Sequence, residues 1–272
     1  MKVGYTEFSY GYAFTENLIR SSASAPTGAP VFPNLVQEAQ LGYDVNIALP
    51  GKPLFFQFKL PEHMRRGTAF ELTKYHCPGI AVPFFRVALI RRDLSDQHKC
   101  LLVLEKKHPR AVFYVAPFIE STDQFNRSYN NAKVHENSVY LSPRSIGKLP
   151  DDLVHTIAYK SGLNTAYFCS DPKPIKALTF EDVQKLTIAR LDSKVSISET
   201  ARQVREDVLS FATPAMRDAV GTVDQRARAR QEAAVGVAAS SPERLQTVAD
   251  ILVAREVARI SLGLDLIFAQ PD

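Results

Sequence analysis

Short apolar runs separated by turn residues occupy most of the first 175 residues of the chain. The runs are YDVNIAL, LFFQFKL, FFRVALI, AVFYVAPF and SVYLS, and Pro-Gly or Gly-Lys-Pro segments lie between several of them. Runs of this length, rich in β-branched and aromatic residues, predict strands. One helical segment, 95–108, interrupts them, with Ser95 as its predicted N-cap and Leu101 and Leu104 on its buried face. A helix followed by an apolar strand favours a mixed α/β fold.

From about residue 176 the pattern becomes helical. Thr179 with Asp182, and Ser196 with Glu199, have the residue types of capping boxes. Ser241 before Pro242 is typical of a helix start. The apolar positions that follow recur at a spacing that fits one helix face: Leu245, Val248, Leu252 and Ile260. We therefore predict an α/β domain over residues 1–175 and a C-terminal helical bundle or arm over residues 176–272.

Composition narrows the class of protein. With 45% apolar and 23% charged residues, the 272-residue chain is neither disordered, collagen-like nor a coiled coil. It contains no apolar run long enough to span a membrane, and its N-terminus lacks the basic-then-apolar order of a signal peptide. Three widely spaced cysteines argue against a disulfide framework. We expect a cytoplasmic protein with no membrane partner.

The net charge of +4 is unevenly distributed. Residues 1–177 hold 21 basic and 15 acidic side chains, whereas residues 178–272 hold 12 and 14. A mildly basic N-terminal part suits a polyanionic partner such as nucleic acid, although ordinary surface charge gives the same count.

The segment 34–60 carries the candidate chemistry. PGKP at 50–53 is a natural turn between two strands. A four-residue hairpin loop would place Asp44 opposite Lys59 and Asn46 opposite Gln57. Because directly opposed residues share a face, these four polar side chains would project together, with apolar side chains on the other face.

Such a cluster suits phosphodiester hydrolysis. A carboxylate and an amide oxygen bind Mg²⁺, which activates water and stabilises charge on phosphate oxygens. A lysine beside them orients or deprotonates that water and neutralises the phosphate. Glu38, on a predicted short helix, supplies another carboxylate. We therefore predict Lys59, Asp44, Gln57 and Glu38 as catalytic residues, and Asp44, Gln57 and Glu38 as ligands of Mg²⁺ or Mn²⁺.

At these residues the sequence resembles the PD-(D/E)xK, or restriction-endonuclease-like, nuclease superfamily. The matching order is a helical acid (Glu38), a strand acid (Asp44 in LGYDV), a hairpin, and then Gln57 and Lys59 in FFQFK. The QxK form with an upstream Gly-x-Asp is that of a branch related to methylation-dependent restriction enzymes. The resemblance implies a mixed sheet flanked by helices, metal binding by Asp44, Gln57 and Glu38, and catalysis by Lys59. Glutamine in place of the usual acid departs from the pattern.

Two functions follow as expectations. The first is a metal-dependent DNA nuclease in restriction or anti-phage defence, acting as a homodimer or with a partner protein bound through the C-terminal helices. The alternative is a catalytically silent module of the same fold that binds nucleic acid or joins a larger complex. A simpler interpretation is that the polar face of the hairpin is exposed to solvent and has no catalytic role. Phe55 argues against it, because an aromatic residue beside Gln57 favours a covered face.

Other motifs favour structural roles. His76, Cys77, His98 and Cys100 lack the second pair that a zinc site would need. Glu105 begins an E-x-K sequence in the predicted helix, where such a run is usually a solvated face. His155 follows two aspartates, but no G-x-S-x-G motif accompanies it, so we expect capping or surface roles for those acids.

Overall fold

The computed structural model describes residues 2–21, 50–193, 195–214, 217, 221 and 242–270. The helices are Glu7–Arg20 (α1), Phe70–Thr73 (α2), Gln97–Lys107 (α3), Thr122–Asn130 (α4), Pro143–Ile146 (α5), Phe180–Leu191 (α6), Ile197–Leu209 (α7) and Pro242–Leu262 (α8). The strands are Lys52–Phe58 (β1), Glu62–Met64 (β2), Phe84–Leu89 (β3), Val112–Pro117 (β4), Ser138–Leu141 (β5), His155–Tyr159 (β6), Thr165–Phe168 (β7), Lys173–Lys176 (β8) and Asp265–Ala269 (β9). The predicted mixed α/β class is confirmed.

The chain divides into two compact units, and each is built from two segments. One comprises Met1–Ser22 and Phe56–Lys185, and the other the described residues of Ala23–Phe55 and Leu186–Asp272. Strand β1 contributes residues to both units. The predicted domains, residues 1–175 and residues 176–272, remain a prediction.

In the first unit, β1 lies beside β4, and β4 pairs antiparallel with β5. Helix α1 packs on one face of these strands, where the rings of Tyr10 and Phe14 lie 5.3 and 5.0 Å from the ring of Phe58. Helix α1 begins at an N-cap, Thr6, whose hydroxyl accepts the backbone N–H of Ser9. Tyr10 and Phe14 are thereby buried against the sheet, whereas Phe8 and Tyr12 of the same helix are exposed.

A second sheet of the first unit has the strand order β2-β3-β6-β7-β8, and every pairing in it is antiparallel. Helix α2 is fixed against this sheet by Glu71, whose side chain is only 1% exposed and forms an ion pair with Arg86 of β3. The hydroxyl of Thr156 on β6 donates to the same carboxylate. The core of this sheet therefore contains a fully paired charge.

The second unit contains two long helices, α7 and α8, which pack along one another. They run in the same direction, because Ser198 near the start of α7 bonds to Glu243 and Arg205 further along pairs with Asp250. Ser196 caps α7 by accepting the backbone N–H of Glu199, as predicted. In the first unit, Thr179 and Asp182 exchange reciprocal hydrogen bonds at the start of α6, also as predicted. The predicted apolar stripe of α8 is wrong at Ile260, which is exposed, because the buried face runs through Val253 and Val257 instead. None of the described helices has the length and apolar character of a membrane span.

Candidate functional site

Strand β1 brings Gln57 together with Lys59, the residue that follows its last position. Side chains alternate along a strand, so residues two apart share a face. The side chains are buried, with Gln57 4% and Lys59 8% exposed. The interpretation of this face as meeting water is therefore wrong, and the expectation drawn from Phe55, which is also buried, is confirmed.

The two acidic residues of the predicted site belong to the segment before β1. Glu38 and Asp44 fall outside the described residues, as does the predicted strand 43–49. The predicted hairpin pairing of Asp44 with Lys59 is not among the described pairings, since the strands beside β1 are β4 and β9. The roles of Glu38 and Asp44 stay predictions.

The predicted four-residue turn at 50–53 is wrong in its second half, because Lys52 and Pro53 already belong to β1. A Cβ on Gly51 would lie 2.6 Å from a side-chain carbon of Ile197, so only glycine fits there.

The first residue of α3 reaches the face that carries Gln57. The side-chain nitrogen of Gln97 donates to Oε1 of Gln57 over 2.8 Å, and Nε2 of Gln57 donates to the backbone oxygen of Phe58 over 3.2 Å. Both ends of the Gln57 amide are therefore held. Because one neighbour is a donor and the other an acceptor, the orientation of the amide is defined by its partners.

The second residue of α3, His98, is held between two groups. Its Nε2 lies 2.7 Å from the carbonyl oxygen of Gly147, which can only accept, so Nε2 carries the proton. Its Nδ1 lies 2.9 Å from the hydroxyl of Tyr114 and therefore accepts. Burial lowers the pKa of His98 below its usual value. The imidazole is a neutral bridge between β4 and the turn that follows α5.

Lys59 lies at the end of the same face. Its Nζ is 5.8 Å from the centre of the Tyr114 ring, and its backbone N–H donates to Val115 of β4. Burial lowers the pKa of the amine, and the charge of Glu7 partly offsets that effect. Among the residues that the structure describes, no carboxylate lies within 4.0 Å of this amine. Among the described residues, the charge of this lysine is thus compensated only weakly, through Glu7.

The described residues fit a metal ion in part. The Gln57 oxygen is a neutral, hard donor of the kind that Mg²⁺ accepts. Within the described ranges no three His, Cys, Asp or Glu side chains form a ligand cluster. Gln57 is therefore a suitable single ligand, and the remaining ligands, Asp44 and Glu38, stay predictions.

Sequence reasoning missed three residues of this site: Gln97, His98 as a bridge, and Tyr114. Each acquires its role from a partner at least 16 positions away, so no local motif marks it. The prediction of a solvated face was also wrong for Glu105. That carboxylate is 4% exposed and accepts the Ser142 hydroxyl and the backbone N–H of Arg144, because it caps α5.

A second constellation surrounds His155, which is 1% exposed. Its Nδ1 lies 2.8 Å from the hydroxyl of Ser170, and its Nε2 lies 3.2 Å from Oδ1 of Asp151. The same Asp151 oxygen accepts the backbone N–H of Leu153 over 2.7 Å, which closes a local turn. The aspartate therefore has the capping role expected of it, and His155 joins that turn to the β7–β8 hairpin.

Comparisons with known proteins assign no family to the chain. No protein-family model, no curated protein and no solved structure matches the chain.

Proposed function

We propose that this protein is a metal-dependent nuclease that hydrolyses phosphodiester bonds in DNA, with a cytoplasmic role in restriction or anti-phage defence. The observation that carries the proposal is the burial of the Lys59 amine, which has no carboxylate within 4.0 Å among the described residues. Removing an ammonium group from water costs several kcal/mol unless a partner compensates for it. Groups whose pKa is perturbed by burial and by a nearby charge, as that of Lys59 is by Glu7, concentrate at functional sites.

The neighbours of Lys59 support the same chemistry. Gln57 places an amide oxygen on the same face, and the resemblance to the QxK nucleases rests on this pair. An Mg²⁺ or Mn²⁺ ion bound there would supply an activated water and neutralise phosphate oxygens. Lys59 would hold the attacking water, accept its proton when neutral, and bind the phosphate when charged. Asp44 and Glu38 would complete the ligand set.

Cleavage of supercoiled and linear DNA with Mg²⁺ or Mn²⁺ tests this function. Lys59→Met keeps the buried stem of the side chain and removes the amine. We expect it to lower the rate by about 10²–10⁴-fold, the range of a single acid–base group. Lys99→Met is the matched control, because that side chain is 78% exposed on the outer side of α3.

The outcomes separate the possible sites. Loss of cleavage in Lys59→Met, with the thermal melting curve unchanged and Lys99→Met active, supports the proposal. Equal cleavage by the wild type and Lys59→Met contradicts it. Asp44→Asn tests the predicted metal ligand that lies outside the described residues. We expect it to weaken Mn²⁺ binding, measured by calorimetry.

One observation favours the alternative, a catalytically silent module that binds nucleic acid or joins a larger complex. Both ends of the Gln57 amide already have protein partners, and an amide brings no negative charge to a metal. A silent module should bind DNA without metal and cleave none. Sedimentation of the full chain, with and without DNA, would also show whether it forms the dimer that cutting both strands favours.

A further inference from the structure

A serine, a histidine and an aspartate form a connected series of side chains at the start of β6. His155 is the first residue of β6, and Ser170 lies in the turn between β7 and β8. The Oγ of Ser170 is 2.8 Å from Nδ1 of His155, and Oδ1 of Asp151 is 3.2 Å from Nε2. Hydroxyl, imidazole and carboxylate thus follow one another in the order that nucleophilic catalysis by serine requires.

The neighbours of His155 determine which ring nitrogen carries the proton. Nε2 faces two acceptors, the Asp151 carboxylate and, over 3.3 Å, the backbone oxygen of the same residue. In the neutral ring Nε2 is therefore protonated, and Nδ1 presents its lone pair to Ser170. The serine hydroxyl donates its hydrogen bond to that nitrogen, which is the arrangement of a nucleophile beside its general base.

We infer that Ser170 is the nucleophile of a second site, which hydrolyses esters, with His155 as general base and Asp151 as the residue that positions the imidazole. Ser170 is half-buried, so a substrate can reach it, whereas His155 is buried and its ring is held in place. Asp151 also accepts the backbone N–H of Leu153 over 2.7 Å, which fixes its carboxylate. All of these residues belong to the first unit, and none of them belongs to the proposed nuclease site.

The reaction balances without a cofactor. The Oγ of Ser170 attacks the ester carbonyl carbon while its proton passes to Nδ1 of His155. The bond to the alcohol oxygen then breaks, the alcohol leaves with that proton, and the acyl group stays on Ser170. Water attacks the acyl carbon and gives its proton to Nδ1, and the carboxylic acid leaves as Oγ regains the proton. The backbone N–H of Asp171, which donates to no other described residue, is available to bind the oxyanion.

The surface beside the serine favours an uncharged ester with an apolar acyl group. Leu153 and Val154 lie between the aspartate and the histidine in sequence, and both are largely exposed. They offer apolar area to an acyl chain. Asp171, next to Ser170, is exposed, and its carboxylate would repel an anionic substrate.

Hydrolysis of p-nitrophenyl butyrate by the full-length protein tests the inference. The assay contains EDTA, because the steps above use no metal ion. We expect Ser170→Ala to lower the rate by at least about 10²-fold, since the oxygen that forms the acyl bond is lost. Ser161→Ala is the matched control, because Ser161 is an exposed serine of the turn between β6 and β7, and it should hydrolyse the ester at the wild-type rate.

Two further measurements separate catalysis from a hydrogen bond that is only structural. A fluorophosphonate, which reacts with activated serines, should add its mass to the peptide that contains Ser170. Asp151→Asn keeps an acceptor for the N–H of Leu153 but removes the charge that stabilises the imidazolium. We expect its kcat to fall, while KM and the melting temperature stay close to those of the wild type.

Several results would overturn the inference. They are a folded wild type that neither hydrolyses the ester nor takes the label at Ser170, equal hydrolysis by Ser170→Ala, and labelling at another serine. None of them bears on the nuclease proposal, which is tested by DNA cleavage with Mg²⁺ or Mn²⁺ and depends on Lys59.

Discussion

Gly11 of α1 lies directly against the ring of Phe58 on β1. A Cβ at position 11 would lie 2.9 Å from Cδ2 of that ring, closer than carbon atoms approach one another in folded proteins. Glycine is normally unfavourable inside a helix. Here it permits the helix to approach the strand, and that strand leads to Gln57 and Lys59.

Gly11→Ala is therefore expected to destabilise the first unit despite the better helix propensity of alanine. Alanine gains about 0.5–1 kcal/mol in a helix, whereas overpacking a core costs about 1–3 kcal/mol. We expect a net loss of about 1–2 kcal/mol in the free energy of unfolding, measured with urea. Gly67→Ala is the control, since a Cβ there meets no atom within 4 Å. An equal or greater stability of Gly11→Ala would show that the ring moves aside.

Arg86→Ala tests the buried ion pair of the five-stranded sheet. Without the guanidinium, the Glu71 carboxylate would stay buried and lose its strongest partner. Removing one member of such a pair costs about 3–5 kcal/mol. Chemical denaturation should show this loss, and the added substitution Glu71→Gln should recover part of it.

The matched comparison for Arg86→Ala is Arg92→Ala. Arg92 pairs with Asp152 at the surface, where both side chains are half exposed. Exposed pairs contribute little, so the unfolding curve should stay close to that of the wild type. A similar loss in both variants would show that the burial of Glu71 has no special energetic weight.

His98 should make stability depend on pH in one direction. Burial lowers its pKa in the folded protein below 6.5. As the pH falls below 6.5, the unfolded chain therefore takes up a proton before the folded protein does. Stability due to this residue is fully present above pH 6.5 and is lost as the pH falls toward the lowered pKa. His63 and His135 also have lowered pKa values through burial, so the wild-type curve sums several groups.

The difference between the wild type and a variant without the imidazole isolates the contribution of His98 to stability. Melting curves of the wild type and His98→Gln, recorded from pH 5 to 8, should converge at low pH, because only the wild type loses the contribution of a neutral His98. Parallel curves would contradict the assignment of a neutral imidazole between Tyr114 and Gly147.

Ser196→Ala tests the cap of α7 in the second unit. The hydroxyl of Ser196 accepts the backbone N–H of Glu199 over 3.2 Å. Loss of such a cap costs about 0.5–2 kcal/mol. Denaturation monitored by circular dichroism should show this decrease, and Ser196→Asp, which restores an acceptor, should return most of the stability. Equal losses in both variants would point to the packing of Ser196 rather than to its hydrogen bond.

Local signals in the sequence predicted part of this structure well. The strands at Phe56, Phe84 and Val112 follow from apolar runs, and the caps at Thr179 and Ser196 follow from residue types that bond three positions away. These features depend on neighbours in sequence, which a pattern records.

Other features depend on partners that are distant in sequence. Helix α1 was not predicted, because Tyr10 and Phe14 acquire their buried environment from residues distant in sequence, such as Phe58. Strand β8, KPIK, has a single buried residue, Ile175, and so carries no apolar run. The Gln57 and Lys59 pair was predicted from their alternation along β1, whereas Gln97 was not, since nothing in its own segment indicates its partner.

The burial of Lys59 has a consequence for how binding is coupled to solvent protons. Because burial lowers the pKa of its amine, a fraction of the free protein carries the neutral form at alkaline pH. A phosphate group beside the amine favours the ammonium form and raises that pKa. Under the proposed function, DNA binding would therefore draw a proton from the buffer, and the heat of binding would vary with the ionisation enthalpy of the buffer chosen.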